Sequence, residues 1–394
     1  MTSLLISGAR KLDAAGQVDD FWMLIDGDTI TATGTGRGPD ATTAVDADGK
    51  WLVPGFIDLH CHGGGGLSFE AGTAAITAAL ATHRAHGTTR SVVSLVATPV
   101  DALCESLSAI ASLTESDTLV LGSHLEGPFL AAERRGAHNA DFLLDPQPAT
   151  VDRLLAAARG TLRQLTIAPE LPNALETIDI LVAAGVTVAI GHTNANFGQA
   201  REAFTRGARL LTHAFNAMPG IHHRAPGPVV AAFNDERVTL ELVLDGEHVH
   251  PDVASLAFTA APDRVALVTD AMAAAGASDG EYSLGGRTVN VRDGLALLDG
   301  TETIAGSTLT QDVALRVAIT RVGLSPRDAV TALTRTPARA LGLDHRFGML
   351  AAGFAADALL LDHDWRLEAA WAGGRQLSAE TGLWLKPHGQ SGRA

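Results

Sequence analysis

The side chains of this chain best suited to binding a metal or moving a proton stand at the ends of apolar runs. His60 and His62 close Phe56-Ile57-Asp58-Leu59-His60-Cys61-His62, and Glu126 closes Gly122-Ser123-His124-Leu125-Glu126. His192 ends Val188-Ala189-Ile190-Gly191-His192, His213 ends Leu210-Leu211-Thr212-His213, and Asp270 ends Ala266-Leu267-Val268-Thr269-Asp270. Neutral imidazole and carboxylate oxygen suit Zn²⁺, Fe²⁺ or Mn²⁺, so four imidazoles and two carboxylates match a site for one or two divalent metals. Such an ion lowers the pKa of a bound water to about 7, and a nearby carboxylate can then take its proton. A single His at a strand end is ordinarily a hydrogen-bonded rim residue. Agreement among five separate strand ends carries the metal reading. At a period of two, His60 and His62 face one side and Cys61 the other, where it is expected to pack. His124 is either a partner of Glu126 or a core residue. His83, His86, His345, His363 and His388 fall on helical or terminal segments and are expected to be solvated.

The elements that must position these residues alternate short apolar runs with Ala-rich amphipathic stretches, the rhythm of βα units and a parallel sheet. The expected strands are Gly55–His60, Thr89–Leu95, Thr118–His124, Gln164–Ala168, Val186–Ile190, Ala208–Thr212, Val238–Leu244 and Arg264–Thr269, with helical segments such as Gly72–His86, Thr150–Ala158 and Ala174–Ala184 between them. Eight such units predict an α/β fold, a TIM-like (β/α)8 barrel over residues 54–345, with the site at the C-terminal mouth. Residues 1–53 and 346–394 carry short β-like pieces (Ser3–Ser7, Phe21–Ile25, Thr29–Thr33, then Phe347–Leu350, Ala358–Leu361 and Ala369–Ala372), and are expected to form one small β-sandwich domain from both termini. Residues 387–394 are polar and expected to fray.

With 394 residues the chain can bury a large core; 46% hydrophobic and 19% charged residues describe a globular protein. A net charge of −15 argues against a nucleic-acid surface, so an anionic substrate would need a local cluster of Arg and His. The only lysines are Lys11, Lys50 and Lys386, which removes Schiff-base chemistry and a carbamylated lysine from any mid-chain site. Two cysteines, Cys61 and Cys104, make no disulfide framework, and no apolar run is long enough for a membrane span. A cytoplasmic protein with no membrane partner is expected.

Pro54-Gly55-Phe56-Ile57-Asp58-Leu59-His60-Cys61-His62 resembles the opening motif of the amidohydrolase superfamily. Within it, His124-Leu125-Glu126-Gly127-Pro128-Phe129, Gly191-His192-Thr193-Asn194-Ala195, Thr212-His213-Ala214-Phe215-Asn216-Ala217-Met218 and Leu267-Val268-Thr269-Asp270-Ala271 resemble the N-acetylglucosamine-6-phosphate deacetylase family. The likeness runs from about Pro54 to Gly353 in the same order. It implies hydrolysis of the acetamide of an amino-sugar phosphate, with Glu126, His192 and His213 on the main metal. Asp270 would be the general base for the attacking water, then the acid that protonates the departing nitrogen. His138, in Gly136-Ala137-His138, would steady the carbonyl oxygen as charge develops. Substrate contacts are implied at Ala137, Asn216, Ala217, Arg224, Asp245, Gly246, Glu247, His248, Ile304, Ala305 and Gly306.

Some family members lack the His-x-His pair and hold one metal. With both His60 and His62 present, a second metal is expected beside the first, bridged by Glu126 in the role that superfamily relatives give a carbamylated lysine. Zinc is the first expectation, with iron, manganese or cobalt as alternatives. Ile221-His222-His223-Arg224 supplies cations for the phosphate, since Arg can hold its oxygens in a fork. In the resembled family that Arg reaches a neighbouring subunit's site, which implies a homodimer. Alternative substrates are the galactosamine epimer and an N-acyl amino acid, because a barrel does not by itself fix the chemistry. A non-catalytic scaffold would predict lost ligands, yet Glu126, His192, His213 and Asp270 are all present.

Overall fold

Eight strands run parallel in chain order in the computed structural model: Phe56–Asp58, Thr88–Val96, Val120–Glu126, Leu162–Ile167, Thr187–Ile190, Leu210–Leu211, Thr239–Val243 and Val265–Val268, here strands one to eight. The structure describes residues 3–378 and 382–383, so the expected frayed tail and His388 lie outside the described residues. Strands flanked by helices are buried on both faces, and most of these carry a run of apolar residues, which is why all eight were visible in the sequence. Strand two is the extreme case, with each of its nine residues buried. Strand eight meets strand one through a parallel bridge between Cys61 and Ala271 and a 2.8 Å hydrogen bond from Asp270 N to His60 O, which closes the barrel.

The helix Thr73–Ala85 shows how the outer layer is fixed and corrects one expectation. Ile76, Ala79, Leu80 and His83 repeat at three- and four-residue steps, and all are buried against the barrel. His83, expected in solvent, therefore lies on the buried face, with Nε2 2.8 Å from Gly63 O and 3.2 Å from Cys61 Sγ. His86 is half-exposed, 3.1 Å from Asp312, while His345 and His363 are exposed as expected.

Both termini supply one eight-stranded sheet. Its seam is the strand Trp51–Pro54, antiparallel to Ala358–Leu361 and parallel to Ser3–Asp13. Ile6, Phe21, Met23, Ile25, Leu52 and Trp371 form a core of its own. Phe347–Leu350, expected as a strand, is irregular. Gly348 there has φ 87° and its backbone lies against Arg335, so the chain turns rather than extends. A further sheet was not anticipated: Gly280–Leu284, Arg287–Arg292 and Leu295–Leu298 form an antiparallel three-stranded insertion after strand eight.

Candidate active site

Each residue that closes a barrel strand points into a cavity of about 510 Å³ at the C-terminal mouth or lies directly beneath it. His192, His213 and Asp270 have φ of 46°, 25° and 49°, a left-handed conformation that breaks strand alternation and turns each side chain inward. Non-glycine residues hold such φ values at a cost of roughly 1–3 kcal/mol, and these cluster where chemistry is expected. The arrangement centres on Glu126. Its Oε1 lies 3.0 Å from His192 Nε2, 3.1 Å from His213 Nε2 and 3.4 Å from His60 Nε2. Its Oε2 lies 3.3 Å from His62 Nε2 and 3.2 Å from His138 Nε2. Asp270 Oδ1 faces the first pair, 3.4 Å from His60 Nε2 and 3.3 Å from His62 Nε2. Nε2 atoms of His60 and His62 are 2.9 Å apart, as are those of His192 and His213.

Ring orientation follows from what holds the far nitrogen. His192 donates from Nδ1 to Arg134 O at 2.7 Å, leaving the Nε2 lone pair free toward Glu126. His60 is held at Nδ1 by Glu241 at 3.3 Å. His138 is the opposite case: its Nδ1 accepts from Ala97 N at 3.3 Å, so the proton sits on Nε2 and is presented to the cavity side. A ligand imidazole with its second nitrogen tied to a carbonyl or carboxylate is the usual construction of a protein metal site, and His60 and His192 are built this way. His60, His62 and Asp270 lie close enough together to hold a divalent ion, as do Glu126, His138 and His192, with His213 beside them.

Charge supports that fit. Burial works to raise the Asp270 pKa, but His60 and His62 outweigh it and hold the carboxyl well below the usual range. Glu126 is held low against the same burial penalty by His60, His192 and His138. Burial pulls the His60 and His62 values down, yet the carboxylates of Glu126 and Asp270 win, putting His60 well above its ordinary value and His62 at about 9. The cluster therefore demands positive charge, as protons or as a metal. His124 differs: burial and the nearby imidazoles keep it neutral, and it bonds Ser94 Oγ and Thr166 Oγ1 at 2.9 Å each, not Glu126. It is a core residue below the site. Cys61 packs behind it as expected, its thiol pushed up to about 12 by burial, beside Asp58 and His83.

Of the expected substrate contacts, Ala137, Asn216, Ala217, His248, Ile304 and Gly306 line the cavity with His138. Asp245, Gly246, Glu247 and Ala305 do not. Asp245 lies behind His248, bonding its Nδ1 at 2.6 Å, and Ala305 is fully buried in the inserted sheet's core. Arg224 is exposed and outside its own chain's cavity, with Nη1 2.8 Å from His223 Nε2. Reading strand ends missed Arg134 and Arg135, on the lining loop before His138, and Glu241, in mid-strand. The signal for Glu241 was a lone carboxylate inside Thr239-Leu240-Glu241-Leu242-Val243.

A barrel of this topology with imidazoles and carboxylates at its mouth defines a metal-dependent hydrolase of the amidohydrolase type, and the chain belongs to the Amidohydrolase family, whose model matches residues 51–377. The nearer likeness is to deacetylases of amino-sugar phosphates. The chain is 35% identical to the N-acetylgalactosamine-6-phosphate deacetylase of Escherichia coli O157:H7 over 95% of its own length and 99% of that protein. It is 36% identical to the human N-acetylglucosamine-6-phosphate deacetylase over 84% of each chain. A mutant of the Mycobacterium smegmatis N-acetyl-D-glucosamine-6-phosphate deacetylase, solved in complex with N-acetyl-D-glucosamine-6-phosphate, superposes with a TM-score of 0.90 and 42% identity, covering 95% of this chain and 99% of that one.

Proposed function

We propose that this chain hydrolyses the acetamide of N-acetyl-D-glucosamine 6-phosphate to D-glucosamine 6-phosphate and acetate. The observation that carries the reading is Glu126, whose two oxygens face two sets of imidazoles beside Asp270 in a cavity large enough for a sugar phosphate. Glu126, His192 and His213 would hold one divalent ion, and His60 and His62 a second. When bound, such an ion supplies a water acid enough to attack near neutral pH. Zinc suits this nitrogen and oxygen donor set, with iron, manganese and cobalt as alternatives. Asp270 takes the water's proton at Oδ1 and returns it to the leaving nitrogen, which departs poorly unless protonated. His138 donates from Nε2 to the carbonyl oxygen as it gains charge.

Asn216, Ala217 and His248 would read the sugar phosphate from within the cavity. Arg224, exposed and outside the cavity lining, suits a contact made in the site of a second copy, and we propose a homodimer on that basis. Unpaired Cys61 and Cys104 support a cytoplasmic location. The separate apolar core of Ile6, Met23, Leu52, Ala358 and Trp371, drawn from both termini, supports a division into 1–53, 54–345 and 346–394. The similarity to the E. coli galactosamine enzyme favours the C4 epimer as the second reading.

The test is acetate release from N-acetylglucosamine 6-phosphate, its galactosamine epimer and unphosphorylated N-acetylglucosamine, before and after chelation and metal return. Chelator-sensitive release from the first substrate is expected, with little from the unphosphorylated sugar. Faster turnover of the epimer would move the assignment to it, and no release from any of the three would retract the substrate class.

A further inference from the structure

Glu241 is fully buried on strand seven, and every contact it makes is with a donor. Its Oε1 accepts from Gln164 Nε2 at 2.7 Å, and its Oε2 meets His60 Nδ1 at 3.3 Å and His213 N at 3.4 Å. Strand eight separates strand seven from strand one, so this carboxylate reaches His60 across the barrel interior. A buried carboxylate persists only where donors or positive charge compensate its lost hydration. Among the described residues no lysine or arginine meets it; the nearest route to positive charge runs through the His60 ring.

We propose that Glu241 is the positioning residue for a second metal position formed by His60, His62 and Asp270, an inference that rests on reading the mouth as a two-metal site. Holding Nδ1–H of His60 fixes the tautomer and turns Nε2 toward His62 Nε2 at 2.9 Å and Asp270 Oδ1 at 3.4 Å. The other imidazoles are not held this way. His192 rests on a backbone carbonyl, and the Nδ1 atoms of His62 and His213 have no partner. The same oxygen also accepts from His213 N, at the longer distance of 3.4 Å.

The test strips the protein with a chelator, titrates zinc by calorimetry, and records melting of the metal-free forms. Wild type is expected to take two equivalents. Glu241→Gln is expected to keep one at wild-type affinity and bind the other about ten- to a hundredfold more weakly, with melting of the metal-free form unchanged. In a His60→Ala background the same change is expected to add nothing, whereas a general packing role would add its full effect. Glu241→Asp, which keeps the charge but shortens its reach, carries the test should Glu241→Gln fail to fold. Two unchanged equivalents in the variant, one equivalent in wild type, or equal weakening of both positions with a lower metal-free melting temperature would overturn the proposal. A wild type that takes two zinc ions yet releases no acetate retracts the substrate and leaves Glu241 its role; one that takes none retracts both.

Discussion

Asp270 sits where a base must be both ionised and close to a proton source. The imidazoles of His60 and His62 keep it ionised far below neutral pH, and its Oδ1 faces them rather than the protein interior. Asp270→Asn keeps the shape and removes the proton acceptor, so turnover is expected to fall about 10²–10⁴-fold. Folding should stay as in wild type, and the ion at Glu126, His192 and His213 should stay bound; near-normal turnover would sink the assignment. Phosphate recognition belongs to this scale too. Burial lowers the His248 pKa, but the hydrogen bond and charge of Asp245 outweigh it, so the folded value lies above the ordinary 6.5. The positive charge is thus fully present below about pH 6.5 and is lost as pH rises through the folded value. KM for the phosphorylated sugar is expected to climb over that window, while KM for the unphosphorylated sugar stays level. His248→Gln should flatten the first profile, and Arg224→Ala should raise KM for the phosphorylated sugar several-fold more than for its counterpart. Equal effects on both sugars would remove these residues from the phosphate. The residues at strand ends were legible because each breaks an apolar run. Glu241 was not, because one carboxylate inside an alternating strand reads equally well as a solvent-facing side chain.

At the scale of elements, the eight barrel strands were legible because most carry apolar residues buried on both faces, with helical stretches between them. The insertion over 280–298 was not, although Gly285-Gly286 and Asp293-Gly294 between alternating segments are hairpin signals. Its position is set from elsewhere in the chain, which no local pattern conveys. Both Glu70 carboxylate oxygens accept from Gly285 N, at 3.0 and 3.1 Å, and the preceding Leu284 lines the cavity. A hydrogen bond to a charged group contributes about 1.5–3 kcal/mol. Glu70→Ala is therefore expected to loosen the insertion, raise KM several-fold with little change in kcat, and speed protease cleavage within 280–298. Unaltered KM and cleavage would mean that the apolar contacts of Leu284, Val289 and Val291 hold the insertion without Glu70.

The barrel core continues into the terminal sheet through Leu12, Leu359 and Leu361, and a buried ion pair crosses the same boundary. Arg90, on strand two, donates from Nε and Nη2 to the two oxygens of Asp357 at 2.7 and 2.9 Å, next to the strand Ala358–Leu361 of the terminal sheet. The guanidinium also stacks 4.7 Å from the Phe347 ring centroid, and Asp357 Oδ1 accepts from Gly373 N at 2.7 Å. Side-chain exposures of 4% and 8% leave almost no water to replace either partner. A buried pair adds little over a well-packed apolar substitute, but removing one partner strands the other charge at a cost of about 3–5 kcal/mol. Asp357→Ala is accordingly expected to lower unfolding free energy by that amount. Arg90→Met, which fills similar volume without charge, should cost less when combined with Asp357→Leu than the single changes predict. Chemical denaturation followed by tryptophan fluorescence checks this, since Trp371 lies in the terminal core and Trp51 stacks on Trp365 at 5.0 Å beside it. If Asp357→Ala unfolds at the wild-type midpoint, the sheet from both termini is held to the barrel by apolar contact alone. If it unfolds earlier in a single transition, the pair joins the two cores into one cooperative unit, and the metal site inherits its rigidity from both.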